Sequence, residues 1–201
     1  MGQYLPSRTP PTPCDLSPEQ IEEIRMLTLL PVEDIQHMRL QYLRWSTDDR
    51  LTKDAFFAIP VIARNPLKER LWSLFESSPD GHVSFHVHCP SYMLYLIWGA
   101  QAFVLVMAVF TYHSSKDSKL RASFKMHDFD GDGRLSRADL LSYLRLVADP
   151  GDMSEDIEKA HLVARTLEEA SSDAAAEFLT FDDFTKVVLT TEFEAKLQIP
   201  L

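Results

Sequence analysis

The chain of 201 residues carries 30 acidic and 20 basic side chains, and its formal net charge of −10 argues against a nucleic-acid partner but suits a cation binder. An apolar content of 45% is enough for a sizeable core in one domain or in two small lobes. Two cysteines, Cys14 and Cys89, do not make a disulfide framework, so the composition favours a reducing compartment.

The N-terminal part of the chain is predicted to hold a flexible arm followed by two helices. Residues 1–16 are rich in Pro, Ser and Thr, a composition typical of a flexible segment. Residues 17–20, Ser-Pro-Glu-Gln, indicate a helix start in which Ser17 is the N-cap and Gln20 completes a capping box. A second helix is predicted to begin near Pro31.

Two segments in the first half have the pattern of an EF-hand loop without its ligands. In the first, Leu51 stands at loop position 8 and Ala55 stands at position 12, where a carboxylate should close the loop. In the second, Val83 is at position 8 and Val87 is at position 12. Because EF-hands pair through a short strand at position 8, we expect Leu51 to lie beside Val83.

The segment 128–139, with the sequence DFDGDGRLSRAD, matches the twelve-residue metal loop of an EF-hand. Its candidate ligands are three alternate carboxylates, a backbone carbonyl, a hydroxyl and a closing carboxylate, from Asp128, Asp130, Asp132, Arg134, Ser136 and Asp139. Gly133 stands where the loop must turn sharply, and Ser136 is a predicted N-cap for the next helix. Since the alternate aspartates would repel one another without a cation, the loop predicts a Ca²⁺ site, with Mg²⁺ as an alternative ion.

A fourth loop ends at Asp183, with Leu179 at position 8. Counting back from Asp183 places Ser172 and two alanines at positions 1, 3 and 5, so this hand lacks a full set of ligands. We therefore predict four helix–loop–helix units, of which one binds a metal ion. Leu135 is expected to pair with Leu179, so that the degenerate fourth hand supports the third.

Five motifs show which family the chain resembles. They are Asn-Pro-Leu-Lys-Glu-Arg at residues 65–70, His-Asp-Phe-Asp at 127–130, Asp139 in place of Glu at loop position 12, Asp-Met-Ser-Glu-Asp at 152–156 and the closing segment 192–199. With these motifs, residues 15–86 and 103–201 resemble the calcium- and integrin-binding protein family, a group of EF-hand proteins close to calcineurin B.

The resemblance implies an all-α fold of EF-hand pairs in two lobes. We expect the arm at residues 1–16, an N-terminal lobe over 17–112 and a C-terminal lobe over 113–201. It also implies a Ca²⁺- or Mg²⁺-binding regulatory adaptor that holds helical segments of membrane proteins, notably integrin tails, in a hydrophobic groove. In the family, a C-terminal extension can cover this groove, and the fourth hand normally binds metal. The alternative function is a calcineurin B-like regulatory subunit of a phosphatase or an ion exchanger.

An apolar insert at residues 87–102 departs from the family pattern. It is predicted to extend the exit helix of the second hand into an uncharged run from Tyr92 to Tyr112. Three interpretations stay open for this run. It is long enough to be a membrane span, since about 20 apolar residues cross a bilayer. It can also be a helix packed in or over the partner groove, or a gene-model artefact without a role. A membrane-spanning protein with an EF-hand lobe is therefore a third functional hypothesis.

Nothing in the sequence indicates a catalytic site. A Gly-rich phosphate loop, a nucleophile elbow and paired carboxylates outside the metal loops are all missing, so we expect a binding protein and not an enzyme. Gly2 begins a candidate myristoylation signal, although Pro6 stands where Ser or Thr is usual. The expected location is the cytoplasm, with peripheral membrane attachment through a lipid or the insert as an alternative.

Overall fold

The described part of the chain is built from helices and four two-residue strands, which confirms the predicted all-α class. In this computed structural model the described residues are 15–75, 81–85, 102–147, 153–171 and 177–189. The elements of the first half are α1 (Pro18–Thr28), α2 (Val32–Trp45), β1 (Leu51–Thr52), α3 (Lys53–Ala58), α4 (Pro60–Ala63), α5 (Lys68–Trp72), β2 (His82–Val83) and α6 (Phe103–Val109). Those of the second half are α7 (Lys116–His127), β3 (Leu135–Ser136), α8 (Arg137–Val147), α9 (Met153–Ala170), β4 (Phe178–Leu179) and α10 (Phe181–Leu189).

Helix α1 starts at its predicted capping box and ends at a left-handed residue. The Gln20 amide N–H donates to the Ser17 hydroxyl at 3.2 Å, and the Ser17 N–H donates to the Gln20 side chain at 2.9 Å, so the predicted capping box is confirmed. The helix stops at Leu29, whose φ of 59° is left-handed and whose N–H bonds back to the Arg25 carbonyl.

Two antiparallel strand pairs join the loops of neighbouring hands. Leu51 is opposite Val83 in the pair β1–β2, and Leu135 is opposite Leu179 in the pair β3–β4, as predicted. All four side chains are buried. Each pair therefore ties two loops together at position 8 and places the hydrophobic side chain of that position inside the protein.

The buried side chains of the described residues form two clusters. The first core includes Ile24, Ile35, Tyr42, Phe56, Leu71, Phe75, Phe85, Phe103, Val104 and Met126. The second core comprises Leu120, Phe124, Leu135, Val163, Leu167, Leu179 and Phe184. Helix α7 contributes to both, because Phe124 packs in the second core and Met126 packs in the first. The lobe boundary at residue 112 stays a prediction.

The two ends of the predicted insert meet in space. The Phe103 N–H donates to the Ser84 carbonyl at 3.0 Å, and the Val104 N–H donates to the Phe85 carbonyl at 3.1 Å. Helix α6 begins at Phe103, because Ala102 has an extended backbone with φ −60° and ψ 155°. The predicted extension of this exit helix therefore does not include Ala102, and residues 86–101 lie outside the described residues.

The described helices do not include a membrane span: none combines enough length with enough apolar character to cross a bilayer. The predicted run from Tyr92 to Tyr112 is described only from Ala102 onward. In that part, α6 places Phe103, Val104 and Met107 in the first core.

Candidate metal centre

The loop 128–139, hereafter the metal loop, begins where α7 ends. Asp128 caps α7 with an extended backbone, and its N–H donates to the Phe124 carbonyl at 3.0 Å. Gly131 and Gly133 have φ angles of 74° and 81°, in the left-handed region that glycine enters at little cost. Gly133 therefore makes the sharp turn that its place in the loop predicts.

Three aspartates of the metal loop converge. One carboxylate oxygen from each of Asp128, Asp130 and Asp139 lies within 4.8 Å of the other two. Asp128 and Asp139 are buried, whereas Asp130 is exposed. Several hard oxygen ligands at this spacing are what Ca²⁺ and Mg²⁺ prefer, and without a cation the charges repel.

The Asp128 carboxylate is held in place by the backbone of its own loop. The Gly131 N–H donates to one oxygen at 2.7 Å, and the Gly133 N–H donates to the other at 3.0 Å. These bonds orient both oxygens before any ion arrives, which lowers the cost of assembling the site.

The Asp139 carboxylate closes the loop from its far end. One oxygen accepts from the Phe129 N–H at 3.0 Å, and the other accepts from the Ser136 N–H at 2.9 Å and from the Ser136 hydroxyl at 2.5 Å. The Asp139 N–H lies 3.3 Å from the Ser136 hydroxyl oxygen, which is consistent with the predicted N-cap of α8. Asp139 thereby connects the first and last turns of the metal loop.

Three of the six predicted ligands, Asp132, Arg134 and Ser136, are not among the three converging carboxylates. The Asp132 carboxylate accepts from the Arg134 N–H at 2.8 Å. The Arg134 guanidinium lies 4.4 Å from the centre of the Phe178 ring, across the β3–β4 pair, which leaves its backbone carbonyl as the group relevant to a metal. The ligand roles of Asp132, Arg134 and Ser136 stay predictions.

Sequence reasoning missed the role of Arg70, although this residue is the last of the 65–70 motif. Its guanidinium donates to the Met126 and Lys125 carbonyls at 2.8 Å each and to the Asp128 carbonyl. It also lies 4.3 Å from the centre of the Phe129 ring. Burial lowers the pKa of Arg70, and the nearby charges of Asp128 and Asp139 partly oppose this shift. The second hand therefore contacts the start of the metal loop.

The fourth hand keeps its closing carboxylate. Asp183 is buried and accepts from the Thr180 hydroxyl at 2.7 Å and from the Thr180 N–H at 3.2 Å, as Asp139 does from Ser136. Lys186 stands 3.6 Å from the other Asp183 oxygen. Residues 172–176, where the first ligand positions would fall, lie outside the described residues, so the predicted loss of metal binding is untested.

In the first hand, the Arg39 guanidinium holds the loop through hydrogen bonds to carboxylates. Arg39 donates to the Asp15 carboxylate at 2.7 and 2.8 Å and to Asp49, which stands at loop position 6. Burial alone would lower the pKa of Arg39, but the bonds to these two carboxylates outweigh it and raise the pKa. The Tyr42 hydroxyl lies 3.0 Å from the Asp49 carbonyl and 2.8 Å from the Val83 carbonyl. This hand therefore keeps its shape with side chains of α2.

The paired loops, the flanking helices and the acidic cluster define an EF-hand protein that binds Ca²⁺. A family profile for an EF-hand domain pair matches residues 117–189. The chain is 29% identical to the calcineurin B subunit of Naegleria gruberi, over 92% of this chain and 96% of that protein. It is 27% identical to the calcineurin B subunit of Candida glabrata, over 83% of this chain and 86% of that protein. It is 26% identical to the type 1 calcineurin B subunit of Dictyostelium discoideum, over 92% of this chain and 94% of that protein.

These similarities support the broader part of the predicted resemblance, an EF-hand protein of the calcineurin B-like group. They do not bear on integrin binding, which stays a prediction. Gly2, the candidate lipidation site, lies outside the described residues.

Replacing Asp139 with glutamate is expected to shift the ion preference of the loop toward Ca²⁺. Asp139 is one methylene shorter than the usual Glu, and closure through one oxygen suits the smaller octahedral Mg²⁺. We expect the ratio of Ca²⁺ to Mg²⁺ affinity to rise roughly tenfold, equal to about 1.4 kcal/mol. Calorimetry with each ion measures the ratio, and Asp182→Glu, on the exposed face of α10, is the matched control. An unchanged ratio would mean that Asp139 is not the closing ligand.

Proposed function

We propose that this chain is a Ca²⁺-dependent regulatory subunit of the calcineurin B type, which holds an amphipathic helix of its partner. The observation that carries the proposal is the convergence of Asp128, Asp130 and Asp139 within an EF-hand loop. In this proposal one ion is bound by these carboxylates, by Asp132, by the Arg134 carbonyl and by Ser136. Similarity to calcineurin B proteins along most of the chain supports this function over an integrin adaptor.

A largely apolar groove offers a place for the partner helix. It has a volume of about 590 Å³ and lies between the end of α1, helix α6 and one face of α7. Its apolar lining is Leu27, Leu29, Leu74, Leu105, Val106, Ala108, Val109 and Ala122. Leu29 is 74% exposed, and Arg121 and Lys125 add positive charge beside the apolar wall. The groove therefore suits a helix with an apolar stripe and acidic neighbours.

Helix α7 connects the metal loop to the groove. Arg121, Ala122 and Lys125 of this helix line the groove, and the helix is capped by Asp128, the first residue of the loop. A change in the direction of α7 on Ca²⁺ binding would move one wall of the groove. This is the usual logic by which a sensor EF-hand exposes a binding surface.

The partner class is tested with two peptides, a helix from the catalytic chain of a phosphatase and an integrin tail. We expect the first to bind in Ca²⁺ and to lose affinity on chelation, measured by calorimetry. Preference for the integrin tail would favour the adaptor hypothesis, for which the 65–70 motif and Asp139 are the supporting features. No binding of either peptide in Ca²⁺ would contradict helix recognition.

The C-terminal segment is proposed to compete with the partner. Phe193 and Leu197 are four residues apart, a spacing that places both on one face of a helix, although 190–201 lie outside the described residues. If such a competitor occupies the groove nine-tenths of the time, deleting 192–201 raises affinity roughly tenfold. Deleting 87–102 is expected to raise it further. Calorimetry with the preferred peptide measures both, and unchanged affinity in both deletions would contradict occlusion.

We propose a non-catalytic, cytoplasmic protein in two lobes that reaches membranes through its partner, through a lipid on Gly2 or through the insert at 87–102. Alkaline carbonate extraction separates these routes from a membrane span, because a spanning helix stays in the membrane pellet and peripheral attachment is released. Mass spectrometry of the N-terminal peptide tests for myristate.

A further inference from the structure

Arg70 occupies the junction between the second hand and the metal loop. Its guanidinium bonds to the carbonyls of Lys125 and Met126, in the last turn of α7, and to that of Asp128. The last carbonyls of a helix have no partner within the helix, and a cation at this end also interacts favourably with the helix dipole. The local cap at Asp128 bonds only to the Phe124 carbonyl, so Arg70 supplies, from another hand, a partner for the carbonyls of Lys125 and Met126.

The contacts of Arg70 extend into the loop itself. Asp128 is at loop position 1 and is one of the converging carboxylates, while Phe129 at position 2 lies under the guanidinium. The Phe129 N–H in turn donates to Asp139, the closing residue. Arg70 therefore contacts the Asp128–Phe129 segment, and this segment carries the Asp128 carboxylate and positions the Asp139 carboxylate.

At its other end, α5 is anchored in the first core. Leu71, the next residue after Arg70, is 5% exposed. The Trp72 ring lies 5.5 Å from the ring of Phe56 and 5.6 Å from that of Phe75. A shift of the Arg70 backbone would therefore also move Leu71 and Trp72, and with them the packing against Phe56 and Phe75 in the first core.

We propose that Arg70 is a positioning residue that transmits occupancy of the metal loop to the N-terminal hand pair. Ca²⁺ fixes the backbone at Asp128 and Phe129, so the acceptors of Arg70 become fixed, and α5 becomes more rigid with them. The first two hands, which are predicted to lack ligand sets, thereby respond to an ion bound elsewhere. Because such coupling is reciprocal, order in the N-terminal pair also favours the Ca²⁺-bound loop. The inference rests on the proposed binding of Ca²⁺ by the metal loop.

Amide hydrogen exchange on the full chain, with and without Ca²⁺, tests the link. In the wild type, Ca²⁺ is expected to slow exchange of residues 71–75 by about fivefold or more, the usual lower range of coupling between sites. In Arg70→Met this slowing is lost, while Ca²⁺ still protects α8 in the metal hand. The matched control is Lys68→Met, which removes the same charge from the same helix, where the ammonium lies over Phe57. It is expected to keep the wild-type response.

Arg70→Lys separates charge from geometry. Lysine keeps the positive charge but lacks the planar fork that serves several carbonyls at once, so we expect an intermediate response. This variant also decides the matter if Arg70→Met does not fold. Full wild-type coupling in the lysine variant would overturn the role of the fork.

The remaining outcomes separate this inference from the proposed function. Slowing of residues 71–75 that persists in Arg70→Met would overturn the link, since transmission would then run through the packing of Met126. Calorimetry on the wild type checks the premise: no Ca²⁺ uptake would overturn the proposed function and the inference together. Uptake with an unchanged α5 in the wild type would overturn the inference alone.

Discussion

Replacing Asp128 with alanine is expected to abolish Ca²⁺ uptake, which in the wild type should amount to one ion per chain. The substitution removes one of three converging carboxylates and leaves the N–H groups of Gly131 and Gly133 without their acceptor. At a Ca²⁺ concentration 100 times the dissociation constant, bound ion stabilises the folded chain by about 2.7 kcal/mol, and this contribution should vanish. Calorimetry measures the stoichiometry, and thermal unfolding in Ca²⁺ and in chelator measures the stability.

The control for this variant is Asp117→Ala on α7. Asp117 is 63% exposed and forms an i, i+4 ion pair with Arg121, so its loss removes a carboxylate from the helix before the metal loop without touching the loop itself. We expect one ion and a normal Ca²⁺ response in this control. A stoichiometry of two in the wild type would show that the fourth hand also binds metal and would contradict a single working site.

Replacing Arg39 with methionine is expected to destabilise the N-terminal hand pair by about 3 kcal/mol. The buried guanidinium makes charge-assisted hydrogen bonds to Asp15 and Asp49 and lies 5.1 Å from the centre of the Phe85 ring. Methionine fills part of the volume but replaces none of these bonds. Denaturant unfolding followed by tryptophan fluorescence measures the loss, in Ca²⁺ and in chelator alike.

Arg44→Met is the matched control, because Arg44 is exposed on the same helix. Exposed substitutions of this kind usually change stability by less than about 0.5 kcal/mol. Equal stability of the two variants would mean that the Arg39 bridge does not close the first hand.

The same bridge predicts an acid dependence. The hydrogen bond from Arg39 lowers the pKa of Asp15 below its ordinary value of 3.8. A carboxylate whose pKa is lower in the folded state than in the unfolded state stabilises the folded chain. This contribution is complete at a pH above the unfolded-state pKa, and it is lost as the pH falls through the folded-state pKa. We therefore expect the wild type to lose the stability contributed by Asp15 as the pH falls below 3.8, and we expect no such contribution to be lost in Arg39→Met.

The features that the sequence predicted correctly depend on residues close together in the chain. The capping box at residues 17–20 needs a spacing of three, and the three carboxylates that converge in the metal loop come from within twelve consecutive residues. The pairing of Leu51 with Val83 and of Leu135 with Leu179 joins distant residues, but each follows from position 8 of a recognisable loop. Each of these features is identified by a motif of consecutive residues, so the pattern of residue types is sufficient to predict it.

The two arginine contacts were decided by the tertiary structure. Arg70 lies 55–58 residues from the carbonyls it binds, and Arg39 lies 24 residues from Asp15. An arginine in a helix has the same sequence signature whether its guanidinium is solvated or buried, and helix packing determines which acceptors it can reach. Backbone carbonyls, moreover, carry no sequence signal, because every residue has one. The groove between α1, α6 and α7 arises in the same way, from helices that meet only after the chain has folded.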